Sequence, residues 1–423
     1  MLDVKFLREN NELVKEGARK KHIPCDVDLW IEKDKKWREA VSRVEELRSL
    51  RNKGSLEVKT LSGDAKTQAI ENMKSLNIEL KELEKTLQPL EDEVNELLLT
   101  IPNVPARDVP DGKSDEENVE IAKYGQIPVF DFELKDHVDL GTHLKIIDIE
   151  RGVKISGSRF YFLRGAGAML ELAILKYSMD HMINKGFTPL VVPMLVREQA
   201  MIGTGYFPTG REQAYYMEKD EMALVGTAEV SLTSYHSDEI LDMSELPVRI
   251  VAMSGCFRRE AGTYGKDTRG LYRIHQFQKV EQVVLCEADN DVSEKWHSIL
   301  VRNSAEILEA LKMPHRLVNV CAGDLGMGQV KKTDIECWMP SRKSYGETHS
   351  CSTFHEYQAR RLKIRYKDEN RKNRFVHTLN NTVIASPRIL IPLLELNQQA
   401  DGSVKVPKVL VPYMNGIEII EPV

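Results

Sequence analysis

The stretch that decides the fold reads Phe257-Arg258-Arg259-Glu260-Ala261-Gly262-Thr263-Tyr264-Gly265-Lys266-Asp267-Thr268-Arg269-Gly270-Leu271-Tyr272-Arg273-Ile274-His275-Gln276-Phe277-Gln278-Lys279-Val280-Glu281. An apolar strand leads into Phe257, a polar glycine-rich loop follows, and residues 274–284 read as a returning strand. Such an antiparallel strand–loop–strand can aim the cations and carboxylates of both arms into one groove. Arginines there suit polyphosphate, because a planar guanidinium meets two oxygens at once. As a charge pattern alone, the same run also describes a solvated hairpin.

From about Asp139 onward, apolar β-branched runs such as Thr188-Pro189-Leu190-Val191-Val192-Pro193 and Val248-Arg249-Ile250-Val251-Ala252 alternate with amphipathic stretches. Many strands with long connections and few βαβ units predict an α+β body with a mainly antiparallel sheet.

Upstream the texture is different. Met73, Leu76, Leu80, Leu83, Leu87, Leu90, Val94, Leu97 and Ile101 recur at steps of three and four, the spacing of a coiled-coil seam. Trp30, Trp37, Val41, Val44 and Leu47 form a weaker stripe, and Gly54-Ser55 with Ser62-Gly63-Asp64 reads as a break or tip between them. Two long helices folded back as an antiparallel hairpin satisfy both stripes. A helix over 66–100 would extend about 50 Å, and Pro89 inside it should introduce a kink. The hairpin is expected to end at Ile101-Pro102-Asn103-Val104-Pro105, which gives a helical N-terminal domain over 1–102, a linker over 103–138 and a catalytic body over 139–423.

The chain has 423 residues, 42% of them hydrophobic and 29% charged, with a net charge of −6. Those values fit an ordinary globular protein of two or three domains. No apolar run reaches membrane-spanning length, and the acid-bearing N-terminus reads as neither signal nor transit peptide, so a cytoplasmic location without a membrane partner is expected. The six cysteines are scattered without a C-x-x-C pair, which predicts free thiols. No G-x-x-x-x-G-K-[ST] occurs, which disfavours a P-loop kinase.

The quoted stretch resembles motif 2 of the class II aminoacyl-tRNA synthetases, in the form found in seryl-tRNA synthetases. Thr227-Ala228-Glu229, Gln358-Ala359-Arg360-Arg361, Thr378-Leu379-Asn380-Asn381-Thr382 and the segment from Ile101 to Asn118 match the same family in order, so the resemblance covers essentially the whole chain. It implies ATP, L-serine and tRNA(Ser) as substrates, with tRNA(Sec) as a further acceptor and Mg2+ as the cation. It also implies a homodimer with motif 1 around 185–193, and no DNA partner.

Residue roles follow from the resemblance. Arg258 is implied to hold the ATP α-phosphate and the serine carboxylate, Glu260 the adenine amino group, and Phe277 the adenine face. Arg388 would pack on the other adenine face and reach the γ-phosphate. Arg259, Arg273, Ile274, Thr348 and His349 complete the implied ATP contacts. Thr227 and Glu229 would meet the serine amino group, and Glu281 its hydroxyl, with Asn380 and Thr382 closing the pocket. A buried site built to bind a hydroxyl rejects alanine strongly, because its own polar groups would be left unpaired. Glu347 and Ser350 are the implied metal pair, chemistry that suits a hard cation.

Two segments depart from the family pattern. His349 replaces a serine, Thr353 an asparagine and Glu356 an aspartate. Gly205-Tyr206-Phe207-Pro208-Thr209-Gly210-Arg211 stands where many relatives read G-Q-L-P-K-F, and is expected to be a mobile loop over the serine site. The arm carries Lys33, Lys35, Lys36, Arg38, Arg43, Arg48, Arg51 and Lys53 interleaved with acids, a pattern that also fits a plain solvated coiled coil. By the resemblance it reads RNA backbone shape. Competing readings are an arm-less relative that loads a carrier protein and a non-catalytic RNA-binding relative. The arm counts against the first, and intact Arg258, Glu260, Glu281, Glu347 and Arg388 against the second.

Overall fold

The computed structural model describes residues 1–262 and 269–422, which fall into two units: Met1–Arg19 with Ile23–Pro102, and Lys20–His22 with Asn103–Val423. Residues 263–268, the centre of the quoted loop, lie outside the described residues.

In the first unit, short helices Val4–Glu9 and Asn11–Lys20 precede two long ones, Val27–Glu57 and Gly63–Thr100. Side-chain caps fix where helices begin: Asp3 accepts from the Phe6 N–H and Asp26 from the Leu29 N–H, each at 2.8 Å. Lys33 pairs with Glu93 while Gly54 meets Met73, so the long helices run antiparallel. Val44, Leu47 and Leu80 are buried between them, with Leu76 and Leu83 packed alongside. The first helix passes straight through Gly54-Ser55, against the expected break there. Gly54 is a contact point rather than a turn, because a Cβ at this position would come within 2.6 Å of Met73 Sδ. The second helix continues through Pro89 to Thr100.

The second unit is built on an eight-stranded sheet. Its strands in chain order are β1 (Val119–Tyr124), β2 (Thr188–Leu190), β3 (Val248–Phe257), β4 (Gln276–Cys286), β5 (His315–Asn319), β6 (Lys331–Met339), β7 (Ser344–His355) and β8 (His377–Ser386). Their spatial order is β1-β5-β6-β7-β8-β4-β3-β2, antiparallel throughout except for the pair β2 and β3. The expected α+β body with a mainly antiparallel sheet is thus present. Helices Ala166–Asn184 and Asn290–Ala310 supply Leu170, Ile174, Leu300, Ile307 and Leu308 to a core shared with Val280, Val284, Leu379 and Val383. Each such side chain, fully buried, contributes about 1.5–3 kcal/mol.

The stretch 103–138 is more than a linker. Val119–Tyr124 pairs with β5 as the sheet's edge strand. Asn103 is buried, with its backbone N–H donating to Met327 O and its side-chain amide donating to Gly328 O and Phe354 O. Turn-like composition hid an edge strand that is mostly solvent-exposed and so lacks a strong apolar alternation. All six cysteines are free. Among the described residues, no helix is long and apolar enough to cross a membrane.

Candidate active site

The sheet presents one polar face to a cavity of about 310 Å³, lined chiefly by residues from β4, β7 and β8 and from the segments flanking β4 and β8. Strand periodicity explains the lining. On β4, Phe277, Lys279 and Glu281 point into the cavity, while Val280 is fully buried in the core. Asn380 and Thr382 do the same on β8, while Asn381 turns back and donates to Leu300 O at 2.6 Å.

Arg258, just past β3, stacks over the Phe277 ring with its guanidinium carbon 5.3 Å from the ring centroid, and its Nε donates to Gly226 O. Its charge acts on both the Tyr206 phenol and the Glu347 carboxylate. Arg273 donates to Glu260 at 3.3 Å. Arg388 lies over Tyr272, donates to the carbonyls of Tyr272 and Glu347, and comes within 3.6 Å of the Glu347 carboxylate. Burial works against the Glu347 charge, but Arg388, Lys332, Arg258 and Arg273 draw its carboxyl below the usual range.

A second set of groups surrounds two buried carboxylates. Glu281 forms an ion pair with Lys279 and accepts from Thr382 at 3.4 Å. Glu229 accepts from the Tyr206 hydroxyl and from the Gln358 amide, each at 2.8 Å. Burial and the neighbouring Glu281 charge push the Glu229 carboxyl up to about 6.

Most of the sequence-expected residues converge here: Arg258, Arg388, Glu229, Glu281, Asn380, Thr382, Glu260, Arg273, Ile274, Phe277, Glu347, Thr348 and Ser350 all line the cavity. Three do not. Thr227 lies beneath the lining, its Oγ1 accepting from the Glu229 N–H at 3.2 Å. Arg259 is held by its backbone N–H to Gln213 O, and its side chain is absent from the cavity wall. The His349 side chain does not reach the cavity. Thr348 is the extra residue of a bulge against β6, which puts Thr348 and Ser350 on the wall and turns His349 away. The His349 ring is 1% exposed, with Nδ1 2.8 Å from Thr348 Oγ1, and burial draws its pKa down to about 3.

Other wall residues escaped the sequence reading. Lys279 sits two residues before Glu281, so strand alternation was signal enough to find it. Lys332 joins the wall from β6, where it pairs with Asp334, and Asp334 in turn takes a hydrogen bond from Ser350. Tyr206 is the largest surprise. Its segment is not a loose flap: Phe207 is fully buried with Val196, Met201, Ala223 and Val230, and the Tyr206 and Phe207 N–H groups both donate to Met201 O.

Comparison with known proteins agrees with this geometry. Residues 1–105 match the seryl-tRNA synthetase N-terminal domain, and residues 214–397 the tRNA synthetase class II core domain (G, H, P, S and T). The chain is 45% identical to a serine–tRNA ligase of Deinococcus radiodurans, covering 99% of both chains, and 41% identical to that of Treponema denticola, covering 98% of both. A crystal structure of seryl-tRNA synthetase from Pyrococcus horikoshii complexed with ATP aligns over 100% of both chains with a TM-score of 0.94 and 37% identity. The cytoplasmic serine–tRNA ligase of Naegleria fowleri in complex with AMP aligns over 100% of this chain and 99% of its own, with a TM-score of 0.88 and 30% identity. With a cavity of this make-up and full-length relatives at these identities, the chain belongs to the seryl-tRNA synthetase family.

Proposed function

We propose that this protein activates L-serine with ATP and transfers the seryl group to tRNA(Ser), with tRNA(Sec) as a further acceptor. The observation that carries this reading is one cavity that holds Arg258, Arg273 and Arg388 together with the buried carboxylates Glu229 and Glu281. The arginines suit a triphosphate, and the carboxylates suit an ammonium and a hydroxyl. The P. horikoshii and N. fowleri relatives, described with ATP and AMP, support a nucleotide in this cavity.

In the first step the serine carboxylate oxygen forms a bond to the α-phosphorus as the bond to the pyrophosphate oxygen breaks. The nucleophile is already ionised, so no protein base is required. Arg258 holds the reacting carboxylate and α-phosphate, and Arg388 takes the charge at the far phosphates. Catalysis rests on positioning and preorganised charge. Adenine stacks on Phe277, with Glu260 accepting from its amino group. Glu229 seats the serine ammonium above Thr227, and Glu281, Asn380 and Thr382 surround the hydroxyl. In the second step the terminal adenosine hydroxyl of tRNA attacks the seryl carbonyl and releases AMP.

Glu347 and Ser350 fit a magnesium ion. The cations around Glu347 keep it ionised, and the Ser350 hydroxyl donates a hydrogen bond to Asp334, leaving oxygen lone pairs for a metal. Two protein oxygens with the rest from phosphate and water is the usual arrangement for this cation, which would neutralise phosphate charge.

The helical domain over 1–102 is proposed as the tRNA-binding arm and residues 139–423 as the catalytic body. Within the arm, Lys33, Lys36, Arg38, Arg43 and Arg48 already pair with acids. Arg51 and Lys53, toward the tip, make no ion pair among the described residues and are the better candidates for RNA phosphates. A homodimer in the cytoplasm is proposed as well. The exposed Leu172, Val191 and Met253, beside and on the β2 edge of the sheet, suit a subunit contact.

Deleting residues 30–100 separates the two steps. Serine-dependent ATP–pyrophosphate exchange should survive while tRNA charging is lost. Charging that survived the deletion would refute the arm's role.

A further inference from the structure

Tyr206 lies in the segment over 205–211 that departs from the family pattern. Its side chain lines the cavity, and its hydroxyl donates to Glu229 Oε2 at 2.8 Å. The opposite oxygen of the same carboxylate, Oε1, accepts from Gln358 Nε2, also at 2.8 Å.

Neither donor is free to turn away. Gln358 Nε2 also donates to Thr204 O at 3.1 Å, and Gln358 Oε1 accepts from Thr378 at 2.6 Å, so all of that amide's heavy polar atoms are committed. Tyr206 is anchored through Phe207, which is sealed in a small apolar cluster, and through the Gly210 N–H, which donates to Tyr206 O. The Arg361 guanidinium ties the same segment down by donating to Ile202 O at 3.0 Å and to Phe207 O at 3.4 Å.

We propose that Tyr206 is a positioning residue of the serine site: with Gln358 it clamps Glu229 from both oxygens and fixes the carboxylate toward the substrate ammonium. This rests on the reading of Glu229 as the ammonium seat.

The electrostatics give the clamp its purpose. Glu229 is buried and faces Glu281 on β4, two effects that favour its neutral form. Lys279 on β4 and the hydrogen bonds from Tyr206 and Gln358 favour the charged form. Arg258, past the end of β3, acts on Tyr206 as well. A neutral Glu229 would lose most of its attraction for an ammonium. A hydrogen bond to a buried charged acceptor is stronger than one between neutral groups, so losing the Tyr206 donor weakens the form that binds serine.

The test uses the full-length enzyme and ATP–pyrophosphate exchange, with Tyr206→Phe and Glu229→Gln measured side by side across pH. Below pH 6, Tyr206→Phe should raise the KM for serine about tenfold, with kcat and the KM for ATP within a few-fold of the parent. The acid limb of kcat/KM for serine should move up by about one pH unit, because tenfold equals one pKa unit of lost preference for the carboxylate. A packing defect alone would not move that limb. If Glu229→Gln raises the serine KM but Tyr206→Phe leaves both KM and acid limb unchanged, the clamp is refuted and the ammonium seat stands. If neither variant changes the serine KM, the ammonium seat falls and the clamp with it. Equal losses for serine and ATP in Tyr206→Phe would mark general damage and overturn the proposal.

Discussion

The Nη1 of Arg388 lies 3.6 Å from Oε1 of Glu347, and the same guanidinium covers the Tyr272 ring at 4.4 Å from its centroid. One arginine therefore holds the carboxylate proposed for the metal while keeping an aromatic platform on its face. Three separate elements of the cavity wall are coupled in this way: β7 supplies Glu347, the segment after β8 supplies Arg388, and the loop before β4 supplies Tyr272.

Removing Arg388 should accordingly damage ATP use most. Arg388→Ala is expected to lower kcat/KM for ATP in pyrophosphate exchange by about 10²–10³-fold, the usual loss when a preorganised charge-stabilising donor is deleted. Arg388→Lys should recover little, because a lysine cannot stack on Tyr272 and reach Glu347 with one planar fork. Exchange kinetics with ATP varied at saturating serine measure both variants.

Serine binding should fade on the acid side. Burial and Glu281 raise the Glu229 carboxyl to about 6, and only its ionised form attracts an ammonium. Above that pH the carboxylate predominates and serine affinity is full. As pH falls through about 6, kcat/KM for serine should drop tenfold per unit. A serine profile flat down to pH 5 would contradict the assignment.

Lys279 and Glu281 are 5% and 2% exposed and form a buried ion pair on the cavity wall. Lys279→Met strands Glu281 without its cation. The variant is expected to lose about 3–5 kcal/mol of stability, the cost of leaving one partner of a buried pair alone. Denaturant unfolding at pH 7.5 is the measurement.

Thr353, one of the departures from the family pattern, should matter for stability and not for catalysis. Its hydroxyl lies 2.9 Å from Nδ1 of the buried His297, whose Nε2 lies 2.8 Å from Thr333 Oγ1. Burial and the nearby Lys331 charge lower the His297 pKa to about 3, so the ring is neutral and both nitrogens are satisfied by hydroxyls. Thr353→Val should cost about 1 kcal/mol by leaving Nδ1 only the weak Cys351 Sγ partner at 3.6 Å. Exchange rates should stay near the parent, because Thr353 faces the helix Asn290–Ala310 and away from the cavity.

In the arm, replacing Arg51 and Lys53 together with glutamate should reduce tRNA charging at least tenfold and leave pyrophosphate exchange unchanged. The same replacement should flatten the salt dependence of charging, because fewer phosphate contacts are lost on adding salt. Charging assays at two ionic strengths read both effects.

How far the sequence spoke depended on the range of the interaction. Phe277, Lys279 and Glu281 are legible because strand alternation alone puts them on one face. The arm is legible because a leucine every three or four residues can bury itself only along a helix seam. The Tyr206–Glu229–Gln358 clamp was out of reach: Gln358 meets Glu229 across 129 residues, and only the packing of Phe207 decides that Tyr206 turns inward. His349 misled for a similar reason, since one extra residue at Thr348 reverses which side chains face the cavity. The edge strand Val119–Tyr124 was hidden because exposed edges need no apolar alternation, and a proline- and glycine-rich approach reads as linker.

The central claim is that this cavity activates serine with ATP. ATP–pyrophosphate exchange with each of the twenty amino acids tests it directly. The account predicts exchange that depends on serine, is absent with alanine, and is abolished by Arg258→Ala with the fold retained. Exchange driven equally well by another amino acid, or parental exchange in Arg258→Ala, would contradict it.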